Sequence, residues 1–144
     1  MTVEVRRVEL AGEVADRVLR VVAEITERWE EVIDDAGLTA PQVKLLRHLL
    51  IGGDTTMGGV AELLACDPSL ATVAVDRLER RGLVVRVPDA TDRRVRRVHL
   101  SPAGDVLVQG VWRQMAQATP LARLNDQQLA GLQEILDAML GQRE

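Results

Sequence analysis

Apolar positions recur at helical spacing along most of this chain and give way once to a pair of short, β-prone runs. Val14, Val18, Val21, Val22, Ile25, Trp29, Val32 and Ile33 fall three or four residues apart, which predicts one long helix from about Leu10 to Ala36, stopped by Gly37. Thr39-Ala40-Pro41-Gln42 reads as a capping box. It opens a second helix with Val43, Leu46, Leu49 and Leu50 on its buried side and Gly52-Gly53 at its end. A short third helix covers about Met57 to Ala65. Its Gly58-Gly59 pair weakens the first turn, so Val60, Leu63 and Leu64 must anchor it by packing.

The next segment is the most informative. Asp67 can accept from the free N–H groups of a helix start, and Pro68 sits where a missing N–H costs nothing. Gly82 follows Arg80-Arg81, where a left-handed cap ends that helix and cations sit near its negative end. Leu70, Val73, Ala74 and Leu78 form the predicted buried stripe, leaving Ser69, Thr72, Asp76 and Arg77 to face outward. Leu83–Val87 and Val95–Leu100 then flank a polar loop rich in arginine, the pattern of a hairpin. Ser101-Pro102 starts a helix through about Ala118 with Val106, Leu107, Val111 and Met115 inward, and Thr119-Pro120 breaks it. The last helix begins at Asn125, with Gln128 placed to complete its cap, and Leu132, Ile135, Leu136, Met139 and Leu140 continue its stripe.

A short helix, a tight turn, a second helix and a hairpin make a winged helix-turn-helix, a layout that puts one helix into a DNA major groove. The expected fold is mainly α (α+β), with about six helices and a two- or three-stranded wing sheet. Three regions are expected: an N-terminal dimerisation helix (1–36), the DNA-binding domain (37–104) and C-terminal dimerisation helices (105–144). The terminal stripes are longer than a small core can cover, so a second copy is the economical cover. The plainer alternative packs the two stripes on each other within a monomer.

Composition narrows the chemistry. The 144 residues include no Phe or Tyr and only two Trp, which counts against aromatic platforms for single-stranded nucleic acid. Cys66 is the single cysteine, and His48 and His99 are the only histidines. An intrachain disulfide is excluded, and neither a zinc site nor any other cofactor is expected. Nothing reaches the length of a membrane span and the start is unlike a signal peptide, so a cytoplasmic location is expected. The net charge of −4 hides a local reversal: Pro68 to Leu100 carries eight Arg against four carboxylates, net +4, and the rest of the chain is −8. Phosphate contact needs only a local basic face.

The candidate DNA contacts are Ser69, Thr72 and Arg77 on the fourth helix and Asp92, Arg93 and Arg94 at the hairpin tip. Hydroxyls early in a docked helix reach bases or phosphates, and a Thr methyl can meet a thymine methyl. Arg77 can reach DNA or pair with Asp76 or Glu79. With no Asn, Gln or Lys on this face, much discrimination falls to groove shape. An arginine at a hairpin tip suits a narrow A·T minor groove, and Asp92 is placed to orient the Arg94 guanidinium. Ordinary solvated positions and a polar turn are the bland alternatives.

From Asp67 to Gly104 the chain resembles the multiple-antibiotic-resistance regulator (MarR) family of bacterial winged-helix transcription factors. The resemblance lies in Val75-Asp76-Arg77-Leu78-Glu79-Arg80-Arg81-Gly82-Leu83-Val84, then Asp92-x-Arg94-x-x-x-Val98-x-Leu100-Ser101 and Gly104. It implies a homodimer with intertwined terminal helices, two winged-helix lobes on a palindromic operator, and repression relieved by a small aromatic ligand or an oxidant. By the same resemblance Ser69, Thr72 and Arg77 fall on the recognition helix, and Arg94 becomes the wing arginine with Asp92 supporting it. The family's peroxide-sensing cysteine near the start of the first helix has no counterpart here, and Cys66 reads as a packing residue.

An effector, if one binds, is expected among Arg28, Trp29, Arg47, His48, Trp112 and Met115, where Arg or His beside an indole suits an aromatic carboxylate. Two Trp acting as plain core is the simpler reading of the rings. No P-loop, dinucleotide fingerprint, nucleophile elbow or metal-spaced His/Glu set occurs, so an enzyme is not expected. The competing class is a winged-helix regulatory subunit that binds protein and has little sequence-specific affinity for DNA.

Overall fold

The first helix begins well before its apolar stripe. In the computed structural model, which describes residues 3–141, α1 runs Val3–Asp35. No proline or glycine interrupts the polar stretch Glu4–Glu9, so the helix propagates through it from the stripe behind. Gly37, at φ +66°, closes the C-terminal turn, with Gly37 N–H donating to Asp34 and Leu38 N–H to Ile33.

The chain divides into two compact units, and the divisions fall inside helices. One unit is Glu30–Gln114. It holds the end of α1, then α2 (Ala40–Gly52), β1 (Thr55–Thr56), α3 (Met57–Leu64), α4 (Pro68–Arg80), β2 (Val84–Pro88), β3 (Arg96–Leu100) and the first part of α5 (Pro102–Ala118). The strands form an antiparallel sheet in the order β1-β3-β2, with Arg86 opposite Val98 and Thr55 opposite the other edge of Val98. Leu45, Leu46, Val60, Val75, Leu78, Val84, Val98 and Val108 are buried almost completely and form the core. Several side chains expected inside lie elsewhere: Leu50, Leu63 and Leu64 are half-buried, and Val106 is 73% exposed while Val108 takes the inward position.

Helix ends follow the sequence signals. Thr39 and Gln42 bond each other's backbone amides in the predicted capping box, and Asn125 and Gln128 do the same. Ser101 caps α5: its Oγ accepts from Gly104 N–H at 3.0 Å and donates to Gly82 C=O at 2.5 Å. Gly104 is buried so close to the chain that a Cβ there would lie 2.0 Å from the Leu83 carbonyl oxygen. That contact explains why glycine stands in this motif position.

The other unit combines the chain up to Trp29 with the chain from Met115 onward, including a 3-10 turn (Pro120–Arg123) and α6 (Asp126–Leu140). Trp29 Nε1 donates to the Met115 carbonyl at 3.1 Å, and Arg123 pairs with Glu24 at 3.3 Å. Val14, Val18, Val22 and Leu10 of α1, with Ile135, Leu136, Met139 and Leu140 of α6, remain exposed. An open apolar groove of about 560 Å³ runs among Leu10, Val14, Val18, Leu19 and Met139. Among the described residues no single helix is long and apolar enough to cross a membrane.

Candidate nucleic-acid interface

Asp67 fixes the start of α4. Its Oδ1 accepts from the amides of Ser69 at 2.9 Å and Leu70 at 3.1 Å, and also from the Ser69 hydroxyl. The Ser69 hydroxyl and these amides hold the Asp67 carboxyl below the usual carboxylate range. The Thr72 hydroxyl donates to the Pro68 carbonyl at 2.9 Å. At the far end, Gly82 takes φ +70°, and the amides of Gly82 and Leu83 close the helix onto Glu79 and Leu78. That is the two-bond cap its sequence predicts. Between α3 and α4, Ala65 takes a left-handed conformation at φ +50°.

The buried face of α4 differs from the one expected. Ala71, Val75 and Leu78 are inside, whereas Leu70 is 57% exposed and Val73 is 45% exposed. Rotation by 100° per residue then sets Ser69, Val73 and Arg80 opposite the core, with Thr72 and Arg77 on the flanks. Ser69, Thr72, Arg77 and Arg80 are all exposed. Asp76 does not share the outward role, because Arg86 of β2 holds it in a hydrogen-bonded ion pair. The same guanidinium bonds Glu79 at 2.9 Å. Arg86 is the chief reason that the Glu79 carboxyl lies below its ordinary range, and Glu79 and Asp76 in turn raise Arg86. With both carboxylates committed to Arg86, neither is the partner of Arg77.

A second arginine anchors the hairpin. Arg97 of β3 pairs with Asp54, just before β1, and with Asp89 at 3.1 Å. Asp89 also accepts from Thr91 N–H at 2.8 Å, from the Thr91 hydroxyl at 2.6 Å and from Asp92 N–H at 3.1 Å. These bonds, led by the Thr91 hydroxyl, keep its carboxyl far below the ordinary range. Asp92 acts on the backbone rather than on a guanidinium: its Oδ1 accepts from Arg94 N–H at 3.0 Å. The turn therefore directs Arg94 through its main chain.

The eight arginines of this region now divide by role. Arg86 and Arg97 tie the wing to the helix-turn-helix, and Arg81 donates to the carbonyls of Gly37 at 2.6 Å and Ala36 at 3.0 Å at the end of α1. Arg77, Arg80, Arg93, Arg94 and Arg96 are exposed, and among the described residues none of them has a carboxylate partner. Arg80 and Arg96 were missing from the sequence-based set. Subtracting the arginines committed to partners elsewhere in the fold is what identifies them, and those pairings exist only in the tertiary structure.

The residues expected around an effector form two pairs, each within its own unit. Arg47 lies over the Trp112 ring, 3.4 Å from its centroid, and Trp29 bonds the Met115 backbone. His48 and Arg28 are exposed.

Comparisons with known proteins agree with this architecture. A family model described as MarR family matches residues 36–95. The chain is 32% identical over 103 residues to the HTH-type transcriptional regulator YsmB of Bacillus subtilis, covering 72% of this chain and 70% of that protein. It is 33% identical to the transcriptional regulator HosA of Escherichia coli O157:H7, covering 74% and 72%. Among solved structures, YusO of Bacillus subtilis superposes over the full length of both chains with a TM-score of 0.78 at 24% identity. BpsR of Bordetella bronchiseptica, whose DNA binding 6-hydroxynicotinic acid regulates, covers 88% of this chain and 91% of its own, with a TM-score of 0.62 at 27% identity.

Proposed function

Because the chain belongs to the MarR family of winged helix-turn-helix transcriptional regulators, we propose that it represses transcription as a homodimer on a palindromic operator. In this reading α4 enters the major groove and Arg94, at the wing tip, enters the adjoining minor groove. The observation that carries it is the set of exposed arginines without carboxylate partners, Arg77 and Arg80 on α4 and Arg93, Arg94 and Arg96 on the wing. Such cations neutralise phosphates and steer the approach to DNA. The apolar side chains left exposed on α1 and α6 support a second copy as their cover.

An aromatic carboxylate is the effector this chain suits best. Arg47 seated on Trp112 sets a guanidinium beside an indole face, with His48 next to it in α2. Titration with a hydroxylated aromatic acid, followed by indole fluorescence and by release from DNA, tests this part.

Exposure of Leu70 and Val73 favours one other reading, in which α4 docks on a protein partner instead of a groove. Selection of bound duplexes from a random pool separates the two. The operator reading expects a two-fold symmetric site with half-site centres about 10–11 base pairs apart. Recovery of no enriched sequence would favour the protein-docking reading.

A further inference from the structure

The outward surface of α4 offers acceptors and methyl groups, with no donor on its first two turns. A hydroxyl has one hydrogen and two lone pairs. The Ser69 hydrogen goes to Asp67 and the Thr72 hydrogen to the Pro68 carbonyl, so both oxygens present only lone pairs outward. One turn beyond Ser69 and next to Thr72, Val73 exposes its isopropyl group on the side opposite Ala71 and Val75. Arg77 and Arg80 come a turn or more later, toward the end of the helix.

Major-groove edges answer this surface unequally. Guanine shows two acceptors, which meet the hydroxyl lone pairs without a proton to share. Cytosine shows an amine but no methyl. Only the A·T pair offers a donor, adenine N6, together with a thymine methyl. We propose that the first two turns of α4 read A·T pairs: Val73, with the Thr72 methyl beside it, covers a thymine methyl, and the Ser69 and Thr72 oxygens accept from adenine N6. The assignment rests on the reading that α4 lies in the major groove. It makes Val73 the specificity-determining residue of the helix, where the sequence left much of the discrimination to groove shape.

The test uses the full-length protein and its selected duplex, with deoxyuridine replacing each thymine in turn. That exchange deletes the methyl and leaves every hydrogen-bonding group in place. Wild-type protein is expected to lose about fourfold in affinity at one thymine of each half-site, the value of one buried methyl-sized group. Val73→Ala, outside the core and expected to keep its melting temperature, should bind the thymine and uracil duplexes equally. The inference is overturned, with DNA binding intact, if no deoxyuridine position weakens the wild type or if Val73→Ala keeps the same loss. A protein that retains no duplex at all removes the docking reading as well.

Discussion

Nη2 of Arg86 lies 2.9 Å from Oε2 of Glu79, so the first wing strand is tied to the last turn of α4. The Arg86 amide adds a bond to Oε1 of the same carboxylate at 3.2 Å, and the guanidinium also holds Asp76. Arg97 does the corresponding work at the other face of the hairpin, joining Asp54 to Asp89. Both arginines lie inside a region whose net charge suggests DNA contact, yet each is committed to two carboxylates, Arg86 to Asp76 and Glu79 of α4 and Arg97 to Asp54 and Asp89. In the proposed docking, rigid placement of this kind lowers the ordering cost of engaging one duplex with both elements.

The Glu79 pair gives a pH signature. Its folded-state carboxyl titrates below the ordinary value of 4.5, chiefly through Arg86. A carboxyl depressed in the folded state adds stability above its unfolded pKa, and that stability is lost as pH falls through the folded value. Thermal melts of Glu79→Gln should show a loss of about 1 kcal/mol at neutral pH, in line with a partly exposed pair. The gap to wild type should start to narrow as pH falls below 4.5 and close as it passes through the lower folded value. A gap that is constant down to pH 3 would show that the carboxylate charge is not what Arg86 uses.

Gly104 leaves no room for a side chain against the Leu83 carbonyl. Gly104→Ala must push α5 away from the turn after α4, and overpacking of that kind costs about 1–3 kcal/mol. Ser101→Ala, which removes the cap but adds no bulk, should cost about 1 kcal/mol. Denaturant unfolding of the two variants checks the order. A Gly104→Ala protein as stable as wild type would mean that this contact relaxes freely.

Asp92 separates two ways of positioning Arg94. Its Oδ1 bonds the Arg94 amide, a bond that an asparagine oxygen can make equally well. Asp92→Asn should therefore bind duplex DNA within about twofold of wild type, whereas Asp92→Ala should lose several-fold through a loosened turn, as removal of one hydrogen bond of about 1 kcal/mol implies. Equal losses in both would assign the role to carboxylate charge acting on the guanidinium.

The helix boundaries of the winged-helix unit were legible because each carries local chemistry: Asp67 with Pro68, Thr39 with Gln42, Gly82 after two arginines. The wing was legible from its β-prone runs and its loop. The rotation of α4 was not. Leu70, Ala71, Val73, Ala74, Val75 and Leu78 span so wide an arc that two apolar stripes fit equally well. Packing selected the stripe led by small Ala71 and β-branched Val75, and left Leu70 and Val73 outside. Val106 went astray for a similar reason, being one residue from Leu107 and two from Val108. Ion pairs between Arg97, Asp54 and Asp89 join residues up to 43 positions apart, and periodicity carries no information about them.

The most direct measurement is a salt titration of the intact protein on its selected duplex, for wild type and Arg94→Ala side by side. Each phosphate neutralised steepens the fall of log affinity with log salt by about 0.9. Wild type should give a line steeper than about −4, and Arg94→Ala should bind at least tenfold more weakly with a shallower line while keeping the wild-type oligomeric state. A flat wild-type line, or two superimposable lines, would contradict a wing arginine placed on DNA.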